Sequence, residues 1–290
     1  MLLLKNKKIN QKNHNNSLKL FAMFTMLIDH IGYLFFPNIL LFRTIGRMAF
    51  PIFAYLLSIG YNKTSNLKKY ILRLFLFGLI SSIPYSFFNP ELNFNPYKLN
   101  ILFTLGISLI FIYLFNQVKI HFDLFIEKKE IKYIIFSTIF IFLMFQIITF
   151  DNQLSNVFSN GGLEYGNYGI FLVLIFYLFK DKPIKLIISF SILNFLYAFN
   201  SHLNFLIKNS SSYTLINFLK DWNIIIKTIY NNDLLNLKGY FFQARSIFSL
   251  FFIYIFKNIN SSFKLNKWVG YIFYPGHISI LILIRYFILN

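Results

Sequence analysis

The sequence predicts an all-α integral membrane protein, a polytopic transmembrane helical bundle of about nine spans with its N-terminus in the cytoplasm. Three observations lead to this fold class. Hydrophobic residues fill 57% of the 290 positions and charged residues only 13%, whereas a soluble domain carries about a quarter charged residues. Many apolar stretches reach the roughly 20 residues that a spanning helix needs. The basic residues are concentrated in alternate loops, a pattern typical of membrane orientation.

Nine segments are apolar and long enough to be spans, and without a linker or repeat they indicate one membrane domain over 1–290. They are 18–37, 39–60, 67–88, 99–118, 131–150, 163–180, 183–200, 239–257 and 268–289. Short turns at residues 37–38 and 180–183 join two pairs of spans. Residues 1–17 are Lys-rich and lack a small-residue cleavage site, which predicts a cytoplasmic tail. The interrupted stretch 201–238 is predicted to be a long external connection with amphipathic helices.

The loop charges test this layout. With the N-terminus inside, the outer segments hold only five lysines, and most of the other basic residues lie in cytoplasmic segments. The five are Lys98, Lys208, Lys220, Lys227 and Lys238. The positive-inside rule therefore favours this topology, and we expect the chain in the cell membrane, the inner membrane of a bacterium, in contact with lipids. The charge of +18 is thus an orientation signal, and no nucleic-acid partner is expected.

Charged and titratable residues also occur inside the predicted spans, where they are rare. A central Arg or Asp costs about 2.5–3.5 kcal/mol on insertion scales, so such residues are usually paired or line a polar cavity. Arg285 lies near a helix end, from which its side chain can reach the surface. The others are Asp29, His30, Arg43, Arg47, Glu164, Arg245 and His277. The chain has no Cys, which excludes Cys-ligated zinc and thiol catalysis, and no metal site is expected.

The depths of these residues indicate which of them meet. At about 1.5 Å per residue, Asp29 and Arg47 lie roughly 12 Å and 14 Å below the first turn, so the two are predicted to pair. Arg43 lies one turn nearer the outside on the same helix face. Arg245 comes to a similar level, and His277 falls near the midplane. An ion pair alone would explain Asp29 and Arg47, but six residues at compatible depths favour a shared polar site.

Such a cluster has the groups that acyl transfer requires. A histidine is the usual base for an attacking amine or hydroxyl, and arginines suit an oxyanion or a pyrophosphate. Consecutive helical side chains diverge by about 100°, so Asp29 is predicted to hold Arg47, while His30 faces the reaction. The residues by themselves indicate an intramembrane polar site and no specific reaction.

Several runs of the sequence resemble the TraX family. They are LKLFAMFTMLIDHIGYLFFP, FRTIGRMAFPIFAYLLSIGY, KKYILRLFLFGLISSIPYSF, NILFTLGISLI, EYGNYGIFLVLIFYLF, QARSIFSLFFIYIF and GYIFYPGHISIL. DHIG and RTIGRMAFPIF are the most specific, and the resemblance spans most of the chain except 201–238. By position, the motif residues are Asp29, His30, Arg43, Gly46, Arg47, Pro51, Tyr165, Gly166, Gly169, Pro275 and His277. Glu164 departs from the Asp expected before Tyr-Gly, and residues 256–258 depart from a Tyr-Asn-Gly-Lys-like ending.

The resemblance implies a membrane acetyltransferase, because the family is named for the protein that N-acetylates conjugative F-pilin. It implies acetyl-CoA as the donor substrate and an unidentified acceptor amine or hydroxyl, such as a peptide N-terminus or a glycan. The residues predicted to be catalytic are His30, His277 and Asp29. Those predicted to bind substrate are Arg43, Arg47, Arg245, Glu164 and Tyr165.

A transporter for an anion or a small solute is the alternative hypothesis. Polar residues near the midplane beside Pro275 and Gly276 fit a transport site as well. The absence of an inverted repeat between spans 1–4 and 6–9 argues against it. A membrane scaffold, the third hypothesis, leaves the intramembrane cluster unexplained.

Overall fold

A computed structural model describes residues 2–157, 161–209, 240–259 and 264–289, and these form a bundle of helices. The helices are α1 (Leu2–Phe35), α2 (Leu40–Gly46), α3 (Ala49–Lys63), α4 (Leu67–Tyr85), α5 (Ile101–Lys128), α6 (Ile131–Val157), α7 (Gly166–Phe179), α8 (Pro183–Asn209), the 3₁₀ helix Tyr240–Phe248, α9 (Ser249–Asn258) and α10 (Val269–Leu289). Two short strands, β1 (Lys98–Leu99) and β2 (Gly162–Leu163), complete the described part. The predicted all-α class is confirmed.

Each of the nine predicted spans coincides with helical structure, and the turns at residues 37–38 and 180–183 are present. Within the described residues, five helical segments are long and apolar enough to cross a membrane: Asn15–Phe35, Leu40–Lys63, Ile101–Lys128, Ile131–Leu154 and Val269–Leu289. Gly166–Phe179 and Pro183–Ala198 are shorter apolar helices. The number of nine spans therefore stays a prediction.

Helical structure extends beyond two of the predicted spans, at the start of α1 and at the end of α8. α1 begins at Leu2, within the predicted cytoplasmic tail 1–17, and the cytoplasmic location of that tail stays a prediction. Residues 201–209, expected at the start of the external connection, extend α8 to Asn209. The rest of that connection, from residue 210 to 238, lies outside the described residues.

The predicted second span is interrupted, because α2 ends at Gly46 and α3 begins at Ala49. Pro51 stands in the first turn of α3, where a backbone N–H has no helical partner to lose. Arg47 and Met48 form the joint between the two helices. The break turns the chain at the depth of the predicted polar site.

Two glycines allow α1 and α2 to pack with their backbones close together. A Cβ built on Gly32 would lie 2.2 Å from Cβ of Phe42, and one on Gly46 would lie 2.1 Å from Cβ of Asp29. Any larger residue would force the helices apart. The hairpin therefore holds the carboxylate of Asp29 directly against the end of α2.

The buried core lies among α1, α3, α5, α7 and α10, where side chains are completely excluded from solvent. Examples are Leu18, Ile52, Leu109, Leu172 and Ile278. In contrast, α6 has most of its large apolar side chains exposed, including Ile135, Phe142 and Phe145. A helix that is apolar all round and lies at the edge of the bundle fits a lipid-facing position.

The strands β1 and β2 pair in parallel, with Lys98 opposite Gly162 and Leu99 opposite Leu163. This pairing fixes the chain just before α7 beside the start of α5. Tyr165, the next residue but one after β2, has a left-handed backbone with φ of 64°. The short sheet therefore sets the position of the Glu164-Tyr165 pair.

Candidate functional site

His30 of α1 and His277 of α10 contact each other inside the bundle. Nδ1 of His30 lies 2.7 Å from Nε2 of His277, and the rings are nearly parallel, with centroids 4.9 Å apart. Both residues are buried, at 6% and 7% exposure. Sequence reasoning had placed them at compatible depths but had not predicted a direct hydrogen bond between them.

The hydrogen bonds of His277 fix the proton positions of a neutral pair. Nδ1 of His277 lies 2.6 Å from the carbonyl oxygen of Phe273, which can only accept, so His277 carries its proton on Nδ1. Its Nε2 then accepts a hydrogen bond, and Nδ1–H of His30 is the donor. Nε2 of His30 is left unprotonated. The pair thus presents one nitrogen lone pair, and it belongs to His30.

Asp29, next to His30, holds two arginines. Nη1 of Arg43 donates a hydrogen bond of 2.8 Å to Oδ2 of Asp29, while Nη2 of Arg47 lies 3.7 Å from the same oxygen. The sequence predicted Arg47 as the partner, but Arg43 is the closer one. Gly46 packs against Asp29, and Arg43, three residues before Gly46, lies on the same face of α2, whereas Arg47 follows the helix end.

Arg47 connects this ion pair to a buried polar network that reaches α8. Its Nη1 donates to Oε1 of Gln243 at 3.0 Å, and Nε2 of Gln243 lies 3.4 Å from the hydroxyl of Tyr168. The Tyr168 hydroxyl donates to Oδ1 of Asn194 at 3.0 Å and contacts the hydroxyl of Ser246. This network ties the 3₁₀ helix, α7 and α8 to the charged cluster.

These network residues were missed by sequence reasoning. Gln243, Tyr168, Asn194 and Ser246 are neutral, and an uncharged polar residue within an apolar span is common enough to give little signal. All four are buried. Three of them stand in or beside the sequence runs EYGNYG and QARS, which was the only available indication.

A polar cavity of about 250 Å³ opens beside the histidine and arginine side chains. Its wall includes six of the eight predicted site residues, namely Asp29, His30, Arg43, Arg47, Glu164 and Tyr165. The other lining residues are Tyr33, Tyr85, Phe88, Lys98, Leu163 and Tyr197. Phe88, Lys98 and Leu163 lie at predicted outer helix ends or loops. We name this space the outer cavity.

A second, narrower cavity of about 60 Å³ adjoins the same residues from the opposite side. It shares Asp29, His30, Glu164 and Tyr165 with the outer cavity and continues to Gly270 near the start of α10. Apart from the hydroxyl of Tyr274, the rest of its wall is apolar: Met26, Gly46, Ala49, Phe50, Phe53, Ile101, Leu102, Leu105 and the ring of Tyr274. We name this space the inner cavity. His30 thus lies between two cavities.

Glu164 has a structural contact as well as a place on both cavity walls. Its Oε2 accepts a hydrogen bond of 3.0 Å from the backbone N–H of Ile101 at the start of α5, a favourable position for a carboxylate. The hydroxyl of Tyr274 lies 3.5 Å from the same oxygen. Tyr165 stacks on Phe50 with ring centroids 4.2 Å apart.

Arg245 lies near this cluster but belongs to neither cavity wall. Its Nη1 donates to the hydroxyl of Thr44, and its guanidinium lies 4.8 Å from the ring centroid of Phe242. The guanidinium of Arg47 also contacts the ring of Phe242, at 5.4 Å from the ring centroid. Arg245 therefore attaches the 3₁₀ helix to α2, and its predicted role in substrate binding remains a prediction.

The described residues contain no group of three or more His, Cys, Asp or Glu side chains placed to hold a metal ion. The arrangement therefore offers three kinds of chemical group: an unprotonated imidazole nitrogen, two guanidinium groups fixed by one carboxylate, and a carboxylate at a helix start. These groups are suited to proton transfer and to the binding of a developing negative charge.

Comparison with known proteins gives one family and one partial relative. The model of the TraX protein family matches residues 14–285. An uncharacterised protein of Rickettsia prowazekii (strain Madrid E) is 36% identical over 74 residues, which are 26% of this chain and 28% of that protein. The match therefore covers about a quarter of that relative's length. No solved structure matches the chain.

Proposed function

The chain belongs to the TraX family, and from this we propose that it is an intramembrane acetyltransferase that transfers the acetyl group of acetyl-CoA to an amine or hydroxyl. The observation that carries the proposal is the hydrogen bond of 2.7 Å between Nδ1 of His30 and Nε2 of His277, because His30 lines a cavity that also holds two arginines. The namesake activity, acetylation of the N-terminus of a pilin, is one form of this reaction.

In the proposed reaction His30 is the general base. The acceptor N–H or O–H loses its proton to Nε2 of His30 as its nitrogen or oxygen attacks the thioester carbonyl. The tetrahedral intermediate then collapses, the C–S bond breaks, and the CoA sulfur takes the proton from His30. The products are the acetylated acceptor and free CoA. His277 accepts the Nδ1–H of His30 throughout and stabilises its positively charged form.

Arg43 and Arg47 are proposed to stabilise the negative oxygen of the intermediate. Each guanidinium has five N–H donors, and the contacts with Asp29 use only part of them. Asp29 holds both groups in one orientation before substrate binds, which is the arrangement that favours a transition-state charge over solvent. Asp29 is thus a positioning residue in this proposal.

The acceptor is proposed to enter the outer cavity. Lys98, Phe88 and Leu163 on its wall lie where the loop charges predict the outer face. Five aromatic rings line the cavity beside the charged groups, and aromatic faces pack against sugar rings as well as peptide side chains. A peptide N-terminus and a glycan hydroxyl both fit this setting.

The experiment is the release of CoA from acetyl-CoA by the purified full-length protein, with a Cys-free peptide or an oligosaccharide added as the acceptor, followed with a thiol reagent. Since the chain has no Cys, only free CoA reacts. We expect His30→Ala to lower the rate at least a hundredfold and His277→Ala to lower it less. His121→Ala is the matched control, since His121 bonds to Gln117 on α5, away from both cavities. Wild-type protein without acetyl-CoA turnover would exclude the proposal.

An anion transporter is the second candidate, and one observation favours it: the two cavities meet at Asp29 and His30, as alternating access to a single site would require. Anion flux in proteoliposomes without CoA release would favour transport. CoA release without flux would favour the acetyltransferase.

A further inference from the structure

Two basic side chains surround one tyrosine at the predicted cytoplasmic ends of α1, α4 and α10. The ammonium of Lys19 lies 6.0 Å from the ring centroid of Tyr271, and the side chain of Arg73 lies beside the Tyr271 hydroxyl. The guanidinium of Arg73 also lies 5.8 Å from the ring centroid of Tyr70. Helices distant in sequence thus bring two positive charges to one place.

Neither cation is neutralised within the described part of the chain. The ion pairs there join Arg43 and Arg47 to Asp29, and two exposed lysines to other carboxylates. Nε of Arg73 is buried and has no hydrogen-bond partner among the described residues. Two partly desolvated cations without a counter-charge are costly, and an anion bearing phosphate oxygens would satisfy them.

Lys19 of this basic pair lies where the inner cavity reaches the start of α10, which we name the mouth of the cavity. Gly270 lines that cavity, and the Lys19 side chain crosses directly over it, so that a Cβ built on Gly270 would lie 2.5 Å from the Lys19 ammonium. His30 lines the same cavity further up α1. Along that helix, eleven residues separate Lys19 from His30, which corresponds to about 16 Å.

We propose that Lys19 and Arg73 bind the diphosphate of acetyl-CoA at the cytoplasmic face, with its pantetheine arm in the inner cavity and its thioester at His30. This donor site rests on the proposed function. It gives donor and acceptor separate entrances, one on each side of His30, so the acetyl group crosses the membrane while it is transferred.

The surroundings of the basic pair fit the remainder of this donor. Trp268, 41% exposed, lies next to Tyr271 with ring centroids 6.1 Å apart, and offers a stacking surface for an adenine. Lys267 lies 5.3 Å from the Trp268 centroid and supplies a further positive charge. The basic side chains and the neighbouring Trp268 ring therefore match a diphosphate with an attached purine.

Another groove on the cytoplasmic side is less suited to the donor. It has a volume of about 420 Å³ and lies between α8 and α9, but it shares no lining residue with the cavities at His30. Its Lys257 is already paired with Asp181 at 3.7 Å. A donor bound there would not bring its thioester to the histidines.

The inner cavity must widen to admit the arm, since about 60 Å³ has room for only a few water molecules. Met26 on its wall is unbranched and has three rotatable bonds, so it is the side chain that can move most easily. Gly270 on the same wall has no side chain that would narrow the cavity. We therefore expect substitutions at the mouth of the cavity to affect donor binding more than folding.

The test measures binding of labelled CoA, which carries no acetyl group, to the full-length protein in nanodiscs of phosphatidylcholine. Lys19→Gln and Arg73→Gln are each expected to raise the Kd about tenfold, the loss of one charge-assisted hydrogen bond. Gly270→Ala should act in the same direction, because the added methyl displaces the flexible end of Lys19. Lys128→Gln, at the cytoplasmic end of α5, is the matched control and should change the Kd less than twofold.

The chemistry is separated from donor binding by His30→Ala, which should still bind CoA but release none from acetyl-CoA. Wild-type turnover with unchanged CoA binding in Lys19→Gln and Arg73→Gln would overturn the donor site and leave the proposed function standing. A wild-type protein that neither binds CoA nor turns over acetyl-CoA would overturn both.

Phosphate groups of anionic lipids are the other source of this ligand chemistry, and a second arm distinguishes them. The same variants are compared in nanodiscs containing phosphatidylglycerol, with retained lipid counted by mass spectrometry. Loss of retained phosphatidylglycerol in Lys19→Gln, together with unchanged CoA binding, would assign the pair to lipid. Competition of 3′,5′-ADP, but not pantetheine, against CoA at these residues supports the donor site.

Discussion

Two histidines that are 247 positions apart in the sequence meet in the membrane, and their roles differ. Both ring nitrogens of His277 are engaged, by Phe273 and by His30, whereas Nε2 of His30 remains unprotonated. The sequence could place both residues at similar depths, but it could not assign the base. That assignment depends on a backbone carbonyl of α10, which no residue pattern shows.

The charged partners of Asp29 give a prediction about stability. Asp29→Asn removes the carboxylate that holds Arg43, and we expect a loss of about 1.5–3 kcal/mol, the usual contribution of a hydrogen bond to a charged group. The double variant with Arg43→Gln should regain part of this loss, since no unpaired guanidinium remains. Thermal unfolding in detergent measures it. A double variant less stable than Asp29→Asn would show that the two residues are not coupled.

Two substitutions at Glu164 distinguish a structural role of this residue from a role in substrate binding. Glu164→Ala removes the acceptor for the Ile101 N–H and should cost about 1 kcal/mol, as for a lost helix cap. Glu164→Gln keeps an acceptor oxygen but not the charge. We expect near wild-type stability and a roughly tenfold lower rate of acetyl transfer, equivalent to one charged contact. An unchanged rate in Glu164→Gln would limit Glu164 to the helix start.

At the scale of elements, the hairpin of α1 and α2 was predictable and the break after it was not. The turn at residues 37–38 follows from Pro37 and its flanking apolar runs. The division of the second span at Arg47 and Met48 has one sequence signal, Pro51, which a helix tolerates in its first turn. Hydropathy treats α2 and α3 as a single apolar segment, so it cannot show this break.

The close approach of α1 and α2 gives a prediction for Gly46. Gly46→Ala adds a methyl where Asp29 atoms lie within 2.2 Å, so we expect a loss of about 1–3 kcal/mol from overpacking and displacement of the Asp29 carboxylate. Gly276→Ala is the matched control, since a Cβ there has no atom within 4 Å, and should leave stability unchanged. Equal thermal unfolding midpoints for the two variants would contradict the tight packing.

Much of the site was predictable from the sequence because it consists of charged residues inside spans, and the rest was not. Charged residues inside spans stand out because they are costly there, which is how Asp29, Arg43 and Arg47 were found. Arg245 met the same criterion, yet its side chain bonds to Thr44 and lies on neither cavity wall. Depth along a helix was known from the sequence, but the direction of each side chain around it was not.

At the scale of the whole molecule, the loop charges predict which face each cavity opens toward. The chain has no natural Cys, so single cysteines can be introduced as position markers. We expect Asn93→Cys, in the loop that follows α4, to react with a membrane-impermeant maleimide on intact cells. Lys129→Cys, after α5, should react only in broken cells. The reverse pattern would invert the bundle and exchange the proposed donor and acceptor faces.

The proposed activity is the transfer of an acetyl group from acetyl-CoA to an acceptor within the membrane, with His30 as the general base. The most direct measurement uses acetyl-CoA labelled in its acetyl group. It is incubated with membranes from cells that contain the wild-type protein, the His30→Ala variant or neither, and the labelled molecules are identified. Label should accumulate in a peptide or glycan acceptor only with the wild-type protein. Equal labelling in all three membranes would contradict the claim.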